Sequence, residues 1–318
     1  NTGEVWFNAT DQVLKFQYLA TYGAWSTGGN LNTARGFGAS AGAATQTAAL
    51  IFGGSPGPKA ITEAYNGTSW TEVNDLTTAR GESAGAGTQT SALCFGGGRP
   101  TQLANTEIYN GTNWTETADL NTARNYLAGC GASSTSALAF GGEAGPGDQN
   151  ATELWNGTNW TEVNNLNTAR EQASSAGIQT SALMSGGAVS GSSQTLTESW
   201  NGTNWTEVAD LNVARRQNTG GAGLTNTSAL NFGGDDPQTA STELWDGTSW
   251  TVGASLPTVA DSNFGSGSKS AALSAGGRAP NYSTATNEWN TGLPIANVWQ
   301  TGGNLNTART IMGNAGDS

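Results

Sequence analysis

The 318-residue chain carries 24 acidic and 12 basic residues and no histidine, for a net charge of −12. So acidic a balance makes nucleic acid and anionic membrane poor partners, and the missing imidazole removes both a Ser-His-Asp triad and any His-ligated zinc or copper site. Only 11% of residues are charged, while 36% are hydrophobic and 46 are glycine, which favours strands and tight turns and argues against disorder.

The chain opens on Asn1 rather than Met, which implies processing or trimming, so no compartment is read from a leader. No run approaches the ~18 apolar residues of a membrane-spanning helix. Residues 3–18, "GEVWFNATDQVLKFQY", differ from the remainder of the chain and read as a short hairpin. From Trp25 onward the chain repeats. The Trp opening "W-T-E-x-x-x-L-x-T-A-R" falls at Trp25, Trp70, Trp114, Trp160, Trp205, Trp250 and Trp299, a period close to 45 residues. Arg comes ten residues later at Arg35, Arg80, Arg124, Arg170, Arg215 and Arg309; the sixth copy has Ala260 instead. Such a period, built from short apolar runs and turn signals, suits a four-stranded propeller blade.

One period shows the expected strands. "ESAGAGT" (82–88) is small and Gly-rich, as an inner strand crowded around a central channel must be. "SALCFGG" (91–97) is an apolar second strand stopped by Gly-Gly, and "TEIYN" (106–110) is a third. "NWTET" (113–117) is the outer strand, with Asn110-Gly111 expected to supply the positive φ angles of a tight hairpin. No window holds a helical period, so essentially no helix is expected.

A Gly-Gly strand end, an aromatic, a short turn, a Trp and a terminal basic residue, repeated in that order over about residues 25–318, resemble the kelch repeat. That resemblance implies an all-β propeller of four-stranded blades, commonly six or seven. The hairpin at 3–18 resembles one found in tail-fibre and other appendage proteins of bacteriophages, and repeats of the Asn-Gly-Thr-x-Trp type are similar to phage and environmental bacterial sequences. Six blades are complete from about Arg35 to Thr301, leaving a spare inner strand, "RTIMGNAG". Joining it to "EVWFN", "VLKFQYL" and "AWST" would close a seventh blade without an exposed edge, so seven blades are favoured and six is the alternative. The whole of 1–318 then forms one propeller domain, with 3–18 contributing to its closing blade.

The candidate sites divide into scaffold and function. Asn66, Asn110, Asn156 and Asn201 lie in N-G-T sequons, but Asp246 replaces Asn in the fifth hairpin, which a turn tolerates and glycosylation does not. The pairs Tyr65/Trp70, Tyr109/Trp114, Trp155/Trp160, Trp200/Trp205 and Trp245/Trp250 read as packing between blades, with a sugar-stacking platform as the other reading. Arg35, Arg80, Arg124, Arg170, Arg215 and Arg309 are half of all the basic residues and recur at one position, the link from an outer to the next inner strand. They form either an anion-binding ring or a set of blade-bridging contacts to the repeat Glu residues or backbone carbonyls. Cys94 sits where sister repeats carry Ile51, Ala139, Met184, Asn231 and Ser274, a packing position, and two cysteines make no disulfide framework.

Glu63, Glu107, Glu153, Glu198 and Glu243, with Glu72, Glu116, Glu162 and Glu207, keep to the repeat, whereas a two-carboxylate glycosidase pair should break it. Asp235-Asp236 departs from the period, as a solvated loop or a Ca²⁺ ligand pair. No catalytic residue, metal site or cofactor is assigned, and a glycan-acting enzyme is the least favoured reading. The leading expectation is a non-enzymatic structural or receptor-recognition protein of a phage virion, located on the virion. Its partners would be other virion proteins and a host-surface glycan or protein, and a homo-oligomer is open. The alternative is a secreted, extracellular bacterial propeller that binds glycan or protein. Either way, specificity is expected on the face bearing the variable loops after each Gly-Gly.

Overall fold

A computed structural model describes residues 5–8, 13–18, 21–98, 100–217, 221–294 and 298–304. It divides into two compact units, residues 24–290 and a smaller one of residues 1–23 with 291–318. No helix occurs among the described residues.

Six four-stranded antiparallel sheets form the blades of a β-propeller. Blade 1 comprises Ala39–Ser40, Leu50–Phe52, Thr62–Tyr65 and Trp70–Val73; blade 2 comprises Ala84–Thr88, Ser91–Phe95, Thr106–Tyr109 and Trp114–Thr117. Blade 3 runs from Ala128–Ser133 through Ser136–Phe140 and Thr152–Trp155 to Trp160–Val163, and blade 4 from Ser174–Ile178 through Ser181–Ser185 and Thr197–Trp200 to Trp205–Val208. Blade 5 holds Gly221–Thr225, Ser228–Phe232, Thr242–Trp245 and Trp250–Val252. Blade 6 takes its first three strands, Phe264–Ser268, Ala271–Ala275 and Thr286–Pro294, from late in the chain and its fourth, Thr21–Thr27, from early in it.

The favoured seventh blade is therefore corrected to six. Residues of "AWST" close blade 6, while Val5–Asn8 and Val13–Tyr18 pair with each other and with Val298–Asn304 in a separate three-stranded sheet of the smaller unit. The spare strand after Arg309 lies outside the described residues.

Burial tracks each strand's place in the blade. Second strands such as Ser136–Phe140 are buried along nearly their whole length, because blades cover both their faces. Fourth strands such as Trp160–Val163 bury the Trp and expose the next two residues, as an edge strand must. Inner strands lie so close together that a side chain on Gly85 would meet the Ser40 carbonyl at 2.4 Å, and one on Gly265 would meet that of Gly221 at 2.4 Å. The Gly-rich inner strand is thus a requirement of crowding around the axis.

Aromatic rings bind blade to blade. Phe52, Phe95 and Phe140 each meet the Trp of the next blade, Trp114, Trp160 and Trp205, at 4.8, 4.9 and 4.8 Å between ring centres. Each of these indoles also donates to a Thr hydroxyl of the preceding blade, as in Trp114 to Thr62 at 3.1 Å and Trp160 to Thr106 at 3.0 Å. The same two contacts close the ring: Trp25 lies 5.0 Å from Phe232 and donates to Thr242, while Trp70 of blade 1 donates to Thr286 of blade 6. At about 25 cal/mol per Å², burying ~200 Å² of each ring contributes on the order of 5 kcal/mol before entropy is counted. Cys94 and Cys130 are free and buried among these clusters; burial pushes the Cys94 thiol up to about 11 and raises that of Cys130 as well.

Candidate functional site

The five described repeat arginines, Arg35, Arg80, Arg124, Arg170 and Arg215, are fully buried. Each pairs with the repeat Glu on the third strand of the blade it leads into. Arg80 meets Glu107 at 2.6 Å, Arg124 meets Glu153 at 2.9 Å, Arg170 meets Glu198 at 2.8 Å and Arg215 meets Glu243 at 2.6 Å, with Arg35 and Glu63 likewise paired. Arg124 also donates to the carbonyls of Gly141 and Ala151, and Arg215 to those of Gly233 and Ser241. The second carboxylate oxygen accepts the N–H of the residue three before each Arg, as in Asn121 to Glu153 and Asn212 to Glu243, both at 2.8 Å. Burial lowers the guanidinium pKa of Arg35, Arg124, Arg170 and Arg215, and the paired Glu opposes it. These side chains present no edge to solvent. Arg309 lies outside the described residues.

Blade 6 lacks both partners. Ala260 stands at the Arg position and Asn287 at the Glu position. Its ion pair lies elsewhere and is reversed in sense: buried Asp261, next to Ala260 in the linker, meets Arg278 of the Gly-Gly loop at 3.3 Å. Ser262 and Gln238 donate to the Asp261 carboxylate at 2.7 and 2.6 Å. Arg278 also reaches Gln217 at 3.0 Å and lies 5.5 Å over the Phe37 ring.

That displaced pair belongs to a second ring of residues at one mouth of the channel. Two positions beyond each Arg, or Ala260, stand Phe37, Glu82, Tyr126, Gln172, Gln217 and Ser262, all left-handed with φ between 50° and 57°. Their backbones are linked blade to blade: Tyr126 donates to Glu82 at 2.9 Å, Gln172 to Tyr126 at 2.9 Å, Ser262 to Gln217 at 2.7 Å and Phe37 to Ser262 at 3.0 Å, and Glu82 donates to Phe37. Five of the six left-handed residues thus direct their N–H at the carbonyl of their counterpart in the neighbouring blade. Phe37 and Tyr126 meet edge to face at 6.4 Å across Glu82, and the six side chains line a small pocket at the mouth.

Around this ring the repeat symmetry lapses. Toward blades 5 and 6 the charges are matched: Arg216 faces Asp236 at 3.7 Å, and Arg278 faces Asp261 and Asp235. Toward blades 2 to 4 they are carboxylates. Glu171 is pushed up to about 7, first by burial and then by Glu143 and Asp148, with Glu82 adding and Arg216 opposing. Next to it, Asn125 donates to Glu82 at 2.9 Å, and Gln102 donates to Asn125. Tyr126, Asn125, Glu82, Pro58 and Pro100 line an open depression between the loops of blades 1 and 2. No cluster of three metal-ligating side chains occurs among the described residues. Aromatic faces, amides and carboxylates at one opening suit non-covalent recognition.

The sequons are turns, by a different geometry from the expected one. Tyr65 pairs with Trp70, so four residues rather than two make the loop, and only the Gly has positive φ. Asn66 Oδ1 accepts the N–H groups of Thr68 and Ser69, both at 2.9 Å, and Asn110, Asn156 and Asn201 repeat the contact. Asp246 makes the same pair at 2.8 Å, since a carboxylate offers the same acceptor. Of the Asp235-Asp236 doublet, Asp235 lies 3.9 Å from Arg278, and Asp236, exposed to solvent, lies 3.7 Å from Arg216. Sequence reasoning missed the mouth ring because no single residue type recurs in it; the shared signal is a fixed offset from the repeat Arg or, in blade 6, from Ala260.

No protein family and no curated protein matches the chain. Among solved structures it is similar to one described as "Structure of YjhT", with a TM-score of 0.70 and 12% identity over 82% of this chain and 96% of that one. At that identity the likeness shows the propeller fold alone.

Proposed function

We propose that this chain is a non-enzymatic recognition protein of kelch-like repeats, a rigid disc that meets its partner through the channel mouth and the surrounding loops. One observation carries the reading. A chain with 46 glycines uses none at six consecutive left-handed mouth positions, where glycine would relieve about 1 kcal/mol each. Five side-chain types fill these six places, while Trp, Thr, Arg and Glu recur around the scaffold. Phe37, Glu82 and Ser262 are buried and Tyr126, Gln172 and Gln217 half-buried; strain retained for unlike side chains at the half-buried places supports a contact surface there.

The setting rests on the sequence. The hairpin at 3–18 and the style of the repeat resemble phage appendage proteins, so the disc is assigned to a virion, with other virion proteins and a host-surface glycan or protein as partners. Replacing the half-buried Tyr126 or Gln172 by Gly tests the surface. The expected result is a melting temperature changed little, with loss of binding to host cells or to a glycan array. Binding that survives both substitutions refutes the mouth as the contact. Mass spectrometry of purified phage particles tests the setting, and recovery from bacterial culture fluid without particles would favour the secreted alternative.

A further inference from the structure

The edge that closes the ring has two suitors. Residues 25–35, "WSTGGNLNTAR", and 299–309, "WQTGGNLNTAR", are identical at ten of eleven positions. The first copy fills the fourth-strand place of blade 6. Trp25 packs 5.5 Å from Trp289, and its indole donates to Thr242 at 2.9 Å. Gly28 donates to the Thr286 carbonyl at 2.9 Å, Leu31 to that of Thr284 at 2.8 Å and Asn32 to Glu63 at 2.8 Å. Arg35 pairs with Glu63. The one differing residue, Ser26, contributes only a hydrogen bond to the Glu288 carbonyl, exposed and at 3.3 Å. Every other group in this set recurs in the second copy.

The second copy comes directly after the strand that needs a partner. Blade 6's third strand ends at Pro294 and the next strand, Val298–Asn304, begins four residues on, so a hairpin would lay it on the same edge. In the other blades the third strand is joined to the fourth in this way. In this structure Val298–Asn304 instead pairs with Val13–Tyr18, with Phe16 opposite Gln300 and Lys15 opposite Thr301. Trading that partner for the blade edge exchanges one ladder of backbone hydrogen bonds for another.

Blade 6 is also the one whose linker and third strand lack the buried Arg–Glu pair, having Ala260 and Asn287 there. We propose that the outer edge of Thr286–Pro294 is an exchange site. It accepts either the 25–27 strand or the 299–301 strand, and the copy not used by one molecule can close the same edge in a second copy of the chain. Exchange of an identical element is a low-cost route to association, because the slot and its contacts already exist.

The test uses the whole chain. W25A should lower the melting temperature by less than half as much as W114A, its counterpart in blade 2, because the second Trp substitutes. W25A/W299A should lose the remainder. Cysteine pairs read the exchange directly: under mild oxidation S26C/E288C and Q300C/E288C should both cross-link, the latter with a dimer fraction that rises with protein concentration. A cross-link in the S26C protein alone overturns the exchange, as does a W299A change that leaves the W25A midpoint where it was. Cross-linking of Q300C/E288C only within single molecules overturns the intermolecular half.

Discussion

Removing one partner of a buried ion pair should cost far more than removing both, and blade 6 supplies the natural example. In blade 3, Arg124→Ala removes the 2.9 Å contact to Glu153 and two donations to carbonyls, leaving Glu153 in a site with no exposure to speak of. An uncompensated buried charge costs about 3–5 kcal/mol. Spread over an unfolding entropy of ~2.1 cal/mol/K per residue for the whole chain, that is a fall in melting temperature of about 4–8 °C. Adding Glu153→Asn reproduces the Ala260/Asn287 combination of blade 6 and removes the stranded carboxylate. The double variant should recover about 1–3 kcal/mol relative to the sum of the single changes. Calorimetric melts of the wild type, both single variants and the double complete the cycle. Additive losses, or an Arg124→Ala loss below about 1 kcal/mol, would refute the claim that these pairs hold the linkers to the blades.

Three further outcomes are expected from the geometry. Glu171 has its folded pKa raised to about 7 from 4.5, so its contribution to stability is full below pH 4.5 and declines as pH rises through 7; melting temperature should fall across pH 5–8, and Glu171→Gln should flatten that slope. Asn110→Asp should leave the melting temperature unchanged, because Asp246 already makes the same two turn contacts, whereas Asn110→Ala should cost about 1 kcal/mol in urea denaturation. Gly85→Ala would place a methyl group 2.4 Å from the Ser40 carbonyl, so it should destabilise by more than the typical ~1 kcal/mol of a point substitution, seen as a lower urea midpoint at unchanged m-value.

Much of the scaffold was legible because each of its demands recurs. The Trp spacing marks the blades, and Gly-Gly ends a strand: Gly141 and Gly142 both have positive φ, and a side chain on either would meet a carbonyl at 2.7 Å. The count of blades was not legible, for a physical reason. Residues 25–35 and 299–309 are almost identical in sequence, so the residues alone do not decide which of them leads to the edge of Thr286–Pro294; in the structure Thr21–Thr27 pairs there. The hairpin turn was read in the right place with the wrong geometry, because Asn-Gly serves a two-residue turn as readily as it serves a side-chain cap on a four-residue one.

The mouth was hidden for the opposite reason. A search for repeated chemistry finds the arginines, which face inward, and passes over Phe37, Glu82, Tyr126, Gln172, Gln217 and Ser262, whose side chains differ. Their common property is a backbone one, a left-handed turn that five of the six join to the neighbouring blade by a hydrogen bond, and it leaves side-chain identity free to vary from blade to blade. The departure at Ala260 links the two layers. Losing the buried pair at Ala260 and Asn287 comes with a new pair, Asp261 and Arg278, that reaches the mouth and lays a cation over Phe37. In a repeat protein the copies that agree describe what the fold needs six times. The copy that disagrees, and the positions at which all copies disagree, are where a single partner would be recognised.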